Sequence, residues 1–89
     1  MKDLENFEKD VKASYIIFYT YRIVDEFMAY KKHSDISKFD FNHIVNGAAD
    51  TINLSEKEMK QIVKNVKKLL RNVYGIKIAN ENPIRLEGV

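Results

Sequence analysis

Between Ser55 and Gly75 the chain carries both a start and a stop signal for a helix, and no other segment constrains the fold as much. Ser55 and Glu58 stand three residues apart. That is the spacing of a capping box, in which the serine hydroxyl accepts from the N–H three residues on and the glutamate accepts from the serine N–H. Leu54 and Met59 occupy the flanking positions of a hydrophobic staple. Met59, Ile62, Val63, Val66, Leu69, Leu70 and Val73 recur at helical steps and form one apolar stripe. Gly75 supplies the left-handed residue that ends such a helix. The expected helix covers about 56–74.

Two further helices precede it. The first is expected over about 3–32, with Asp3 as a cap and Leu4, Phe7, Val11, Tyr15, Phe18 and Arg22 at helical spacing. From Ala13 to Tyr30 apolar residues nearly encircle it, which predicts burial on several sides: a central helix or a homodimer seam. The β-branched and aromatic run Ser14–Tyr21 also suits a strand. Helix is preferred because Glu8-Lys9-Asp10 and Asp25-Glu26 continue the pattern without a turn signal. Lys31–Lys38 reads as a polar connection in which Ile36 suits a short strand. The second helix is expected over about 40–51, on the stripe Phe41, Ile44, Val45, Ala48, Ala49 and Ile52, with Gly47 allowing close packing against the first.

After Gly75 the period changes. Ile76-Lys77-Ile78 and Ile84-Arg85-Leu86-Glu87 alternate around the turn-forming run Ala79–Pro83, so a β-hairpin is expected over about 76–87 with Ile76, Ile78, Ile84 and Leu86 inward. The expected fold is mostly α: three helices plus a C-terminal β-hairpin in one domain spanning 1–89. The alternative is an all-α helical bundle.

Composition narrows the function. With no cysteine among 89 residues, disulfides, thiolate metal sites and cysteine nucleophiles are excluded. The charged start Met1-Lys2-Asp3-Leu4-Glu5 carries no export signal and no run approaches a membrane span, so a cytoplasmic protein is expected. Abundant lysine, isoleucine and asparagine suggest an AT-rich coding genome, such as that of a low-GC bacterium or its phage. No strained serine turn or glycine-rich phosphate loop occurs. His33, Asp35, Asp40 and His43 are the one set with metal-ligand chemistry. The two histidines stand ten residues apart and lack the i, i+4 spacing that pre-forms a site on a helix, so surface histidines are the expectation. No enzyme activity, cofactor, metal or small-molecule substrate is expected.

The third helix offers a direction. Lys57, Lys60, Lys64, Lys67, Lys68 and Arg71 share one sector, well round the helix from the apolar stripe. Such a face attracts phosphates and gains affinity from the counterions it releases. Asn53-Leu54-Ser55 before this helix, and Tyr74-Gly75-Ile76-Lys77-Ile78 through Pro83-Ile84-Arg85-Leu86 after it, resemble a winged helix-turn-helix from about Tyr19 to Leu86. The resemblance implies double-stranded DNA as partner and a transcriptional or replication regulator. It places Lys57, Lys60, Gln61 and Lys64 toward the DNA groove, with Lys77 and Arg85 of the wing on phosphates. The chain departs from the pattern in its longer third helix, the lack of glycine in the preceding turn, and the carboxylates Glu56, Glu58 and Glu81 beside the expected contact face. The other reading is a small helical protein-binding factor, such as an inhibitor, immunity protein, antitoxin or phage anti-host factor. On that reading the lysines are a solvated face or meet an acidic protein. The aromatic residues Tyr15, Tyr19, Tyr21, Phe27 and Tyr30 are the expected partner interface, with a homodimer through the first helix as its leading form.

Overall fold

A computed structural model of the chain describes residues 2–88, with side chains from Leu4 onward. Three helices lead into one antiparallel hairpin: α1 (Lys2–His33), α2 (Phe41–Ile52), α3 (Glu56–Tyr74), β1 (Ile78–Glu81) and β2 (Ile84–Leu86). The mostly α fold with a C-terminal hairpin is thus as expected, and the all-α bundle is not formed. At about 1.5 Å per residue α1 is about 48 Å long, so it runs nearly the whole 52 Å long axis of the molecule.

Ser14–Tyr21 is helical, not extended. The helix begins at Lys2, so Asp3 lies inside its first turn; the expected Asp3 cap rests on a side chain outside the described residues. Burial all round α1 is not found. Among its described residues only Thr20, Ile23, Val24 and Phe27 are buried. At about 100° per residue these four share one sector, which α2, α3 and the segment 36–39 cover. The Thr20 hydroxyl donates to the Ile16 carbonyl (2.7 Å), so the one buried polar side chain among the described residues is satisfied within its own helix.

The expected strand at Ile36 is a 3₁₀ turn, Ile36–Lys38. Its cause is local: Asp35 Oδ1 accepts from both the Ser37 N–H (3.0 Å) and the Ser37 hydroxyl (2.7 Å), which curls the backbone before any strand can pair. The turn packs against β2. Just beyond it Phe39 and Phe41 turn inward against Phe27, with centroid separations of 5.5 and 6.1 Å, and against each other at 5.2 Å. This aromatic cluster joins Ile23, Val45, Ile62, Val66, Leu70 and Ile84 in the core.

Asp40 caps α2 by accepting from the His43 N–H (3.2 Å). The helix ends at Asn53, whose φ of 53° is left-handed. Asparagine tolerates that region, so the turn into α3 needs no glycine. Gly47 is exposed, and a Cβ there would meet nothing within 4 Å; it does not serve close packing against α1.

The capping box of α3 forms as read. The Glu58 N–H donates to Ser55 Oγ (3.2 Å) and the Ser55 N–H to Glu58 Oε1 (2.9 Å), while Gly75 closes the far end in the left-handed region. The Ser55 N–H bond and the nearby Lys12 ammonium hold the Glu58 carboxyl below its ordinary value. Because the folded value is the lower one, this stabilisation is present above the ordinary glutamate range and lost as pH falls through the folded value. Ser55→Ala is expected to cost about 1 kcal/mol in urea unfolding at neutral pH; an unchanged midpoint would show that the cap does not hold the helix.

The hairpin is tighter than expected. Ala79–Glu81 belongs to β1, leaving Asn82-Pro83 as the loop, joined by a cis peptide. Pairing runs Glu81 to Ile84, Asn80 to Arg85 and Ile78 to Leu86, with a bulge between Ile78 and Asn80. Ile84 is buried, while Ile76, Ile78 and Leu86 lie half-buried against the core.

Candidate nucleic-acid interface

On α3 the apolar residues occupy a sector of about 120° and the basic ones about 100°, with centres about 150° apart. Packing Ile62, Val66 and Leu70 into the core therefore fixes the lysines outward. Lys57, Lys60, Gln61, Lys64, Lys67, Lys68 and Arg71 are all exposed.

The structure then divides this set. Lys64, Lys67, Lys68 and Arg71 from α3 and Lys77 from the approach to β1 line one open groove of about 600 Å³ between helix and hairpin. Ile78 forms part of its floor, and Glu87 is the only carboxylate lining it among the described residues. Five cations against one anion, drawn from two elements, make this groove strongly positive, with Lys67 already paired to Glu81 at its edge. Lys57, Lys60 and Gln61 lie toward the N-terminal end of α3 and outside the groove. Gln61 donates to Asn65 Oδ1 (2.7 Å) along the helix. Lys60 instead borders a second groove, between α2 and α3, that also includes Asn42, Asn46, Glu56 and Glu81. Arg85 is exposed, next to the buried Ile84, and lines neither groove.

The three carboxylates that break the basic pattern have separate positions. Glu58 is held by the capping box and by Lys12 of α1 (3.1 Å), which ties α1 to the start of α3 and keeps this carboxylate off the basic sector. Glu56 meets Lys60 at 3.7 Å with both side chains largely in water, a contact worth little. Glu81 at the end of β1 pairs with Lys67 and so links hairpin to helix across the groove edge. Lys57, Lys64, Lys68, Arg71, Lys77 and Arg85 make no ion pair among the described residues.

The expected partner interface is partly overturned. Phe27 is completely buried in the aromatic cluster and has no surface to offer. Tyr19 is half-buried, packed against the core and edge-on to Phe18 (5.4 Å). Tyr30 lies edge-on to Phe39 (5.4 Å) but keeps 40% exposure, and Tyr15 and Tyr21 stand exposed. Sequence reasoning leaves out Leu4, Phe7 and Phe18, all more than half exposed. Their signal is the 3–4 spacing itself, which marks a helix before it marks a second face.

Asp35 and Asp40 are both engaged as caps, and Ser37 holds the Asp35 carboxyl below its ordinary range. Among the described residues no three histidine or acidic side chains gather where they could hold a metal ion. No described helix is long and apolar enough to cross a membrane. Compared with models of protein families, with curated proteins and with solved structures, the chain matches none.

Proposed function

We propose that this chain is a small winged-helix-like DNA-binding protein, a cytoplasmic regulator of transcription or replication that grips the phosphate backbone between α3 and the hairpin. The observation that carries the reading is the convergence of Lys64, Lys67, Lys68, Arg71 and Lys77 on one groove containing a single carboxylate. Lysines placed only for solubility have no reason to converge from two elements onto a concavity, where their mutual repulsion is largest. A run of phosphates relieves that repulsion and releases condensed counterions. Lys57 and Lys60 extend the basic surface along the helix, and Arg85 extends it onto the hairpin.

A salt titration of duplex binding tests this. With Lys67 held by Glu81, the other four cations of the groove, at about 0.9 per phosphate contact, predict a log–log slope near −3.6. Undetectable binding at about 50 mM salt retires the proposal. The competing reading, a protein-binding factor, is favoured by one separate feature: the large exposed apolar face of α1, with Phe7 64% and Phe18 55% exposed.

A further inference from the structure

α1 bears two apolar stripes on nearly opposite sides. Ile16, Thr20, Ile23, Val24 and Phe27 face the core. Leu4, Phe7, Val11, Ser14, Phe18 and Tyr21 follow each other at steps of three, four, three, four and three, centred about 170° away at 100° per residue. That 3.5-residue average is the heptad spacing of helices that pair with helices. Among the described residues the second stripe stays largely open, bordering Thr51 and Ile52 of α2 only beside Phe7 and Val11, and α3 only beside Tyr21: Leu4, Phe7, Phe18 and Tyr21 are 56%, 64%, 55% and 57% exposed, and Val11 37%.

We propose that a second copy of this chain covers the stripe, with the two α1 helices antiparallel about a two-fold axis between residues 12 and 13. The stripe is self-complementary under that rotation. It sets Leu4 against Tyr21, Phe7 against Phe18 and Val11 against Ser14, each pair twice over. Large side chains fall at the ends and small ones at the centre, where the helices approach most closely. The Ser14 hydroxyl already donates to the Asp10 carbonyl (3.0 Å), so it enters the seam without a lost hydrogen bond. At the margin Glu8 of one copy and Arg22 of the other lie along the same flank about five residues out of register, so that Arg22, which pairs with Glu26 of its own helix (3.5 Å), adds a second, longer-range attraction in both symmetric places. A parallel pairing would instead oppose Asp25 to Asp25 at the next heptad position, where like charges repel.

The area is sufficient. At roughly 150–250 Å² for an aromatic side chain, the exposed parts of the stripe, with Tyr15 and Ile17 at its edges, offer at most about 800 Å² per copy. A standard interface takes about 800 Å² from each partner, while the largest apolar patch on a typical monomer is about 300–600 Å². This dimer stands independently of DNA binding.

Sedimentation of the full chain at micromolar concentrations is expected to show a reversible dimer. Phe7→Glu should weaken it at least about a hundredfold, since the change falls twice in each interface and buried aromatic anchors dominate such energetics. Phe7 is exposed in the single chain, so the circular dichroism and melting of the diluted variant should match the parent. Register is read with cysteines, which the natural chain lacks. In an oxidised equimolar mixture of Val11→Cys and Ser14→Cys chains, the mixed disulfide should exceed twice either homodisulfide, the ratio that random pairing gives. A chain that stays monomeric at about 100 μM overturns the proposal, and so does a predominance of the Val11→Cys homodisulfide.

Discussion

Phe27→Ala is expected to remove about 3–5 kcal/mol of stability, the usual cost of emptying a buried aromatic site. At about 0.05–0.15 kcal/mol per residue, a chain of this size has only about 4–13 kcal/mol in all, so the loss takes from about a quarter to all of it, and at the low end the variant is unfolded at room temperature. The reason is position. Phe27 is wholly buried where α1 meets the start of α2, and it touches both Phe39 and Phe41. No larger side chain can slide into the vacated space, because those two rings are already fixed edge to face with each other. Urea unfolding of Phe27→Ala and Tyr21→Ala side by side makes the measurement decisive. Tyr21, 57% exposed, should cost the single chain less than about 1 kcal/mol. A Phe27 variant that unfolds no earlier than the Tyr21 variant would mean that α1 does not seat on the core in this way.

That contrast also marks where the residues were legible before the structure and where they were not. α3 could be read to its ends, because its capping box, stripe and terminal glycine are local signals that agree with one another. Its basic sector was equally plain, being fixed by the same periodicity. α1 was legible as a helix but not as two faces. Its core stripe and its outer stripe lie nearly opposite, so together they imitate a helix apolar all round, and Phe27 could not be told from Tyr21. Only the placement of α2 and α3 separates them. Phe39 hid in a polar stretch that offers no period to read, and the 3₁₀ turn before it depends on how the Asp35 side chain competes for Ser37. The groove lay further from reach. Lys64 and Lys77 are thirteen positions apart in sequence, and nothing local says that the hairpin folds back along α3 to bring them together.

Lys64→Glu with Arg71→Glu is expected to lower duplex affinity at least a hundredfold at 0.1 M salt. Each phosphate contact contributes about 0.9 to the salt exponent, which at 0.1 M is roughly eightfold per contact. Two lost contacts give about sixtyfold, and the new carboxylates add repulsion. Neither residue makes an ion pair among the described residues, so no folded-state contact is broken. The carboxylate introduced at position 64 would instead stand four residues from both Lys60 and Lys68, in spacing that supports a helix by about 0.2–0.5 kcal/mol per pair. The glutamate at position 71 replaces a cation in the last turn of α3 and offsets that gain against the helix dipole, so binding should collapse while the melting temperature changes little, a combination that unfolding cannot produce. The salt slope should flatten by about 1.8. Glu81→Gln tests the same electrostatics with the opposite sign. It releases Lys67 from its partner on β1 and removes a carboxylate from the groove edge, so affinity should rise, by roughly eightfold at 0.1 M if the freed ammonium reaches a phosphate, with a slope steeper by about 0.9. Isothermal or fluorescence titration of the three chains against one duplex at several salt concentrations decides between the outcomes. If the reversal leaves affinity and slope unchanged, the basic face of α3 is a solvated surface, and the chain acts through the apolar side of α1 instead.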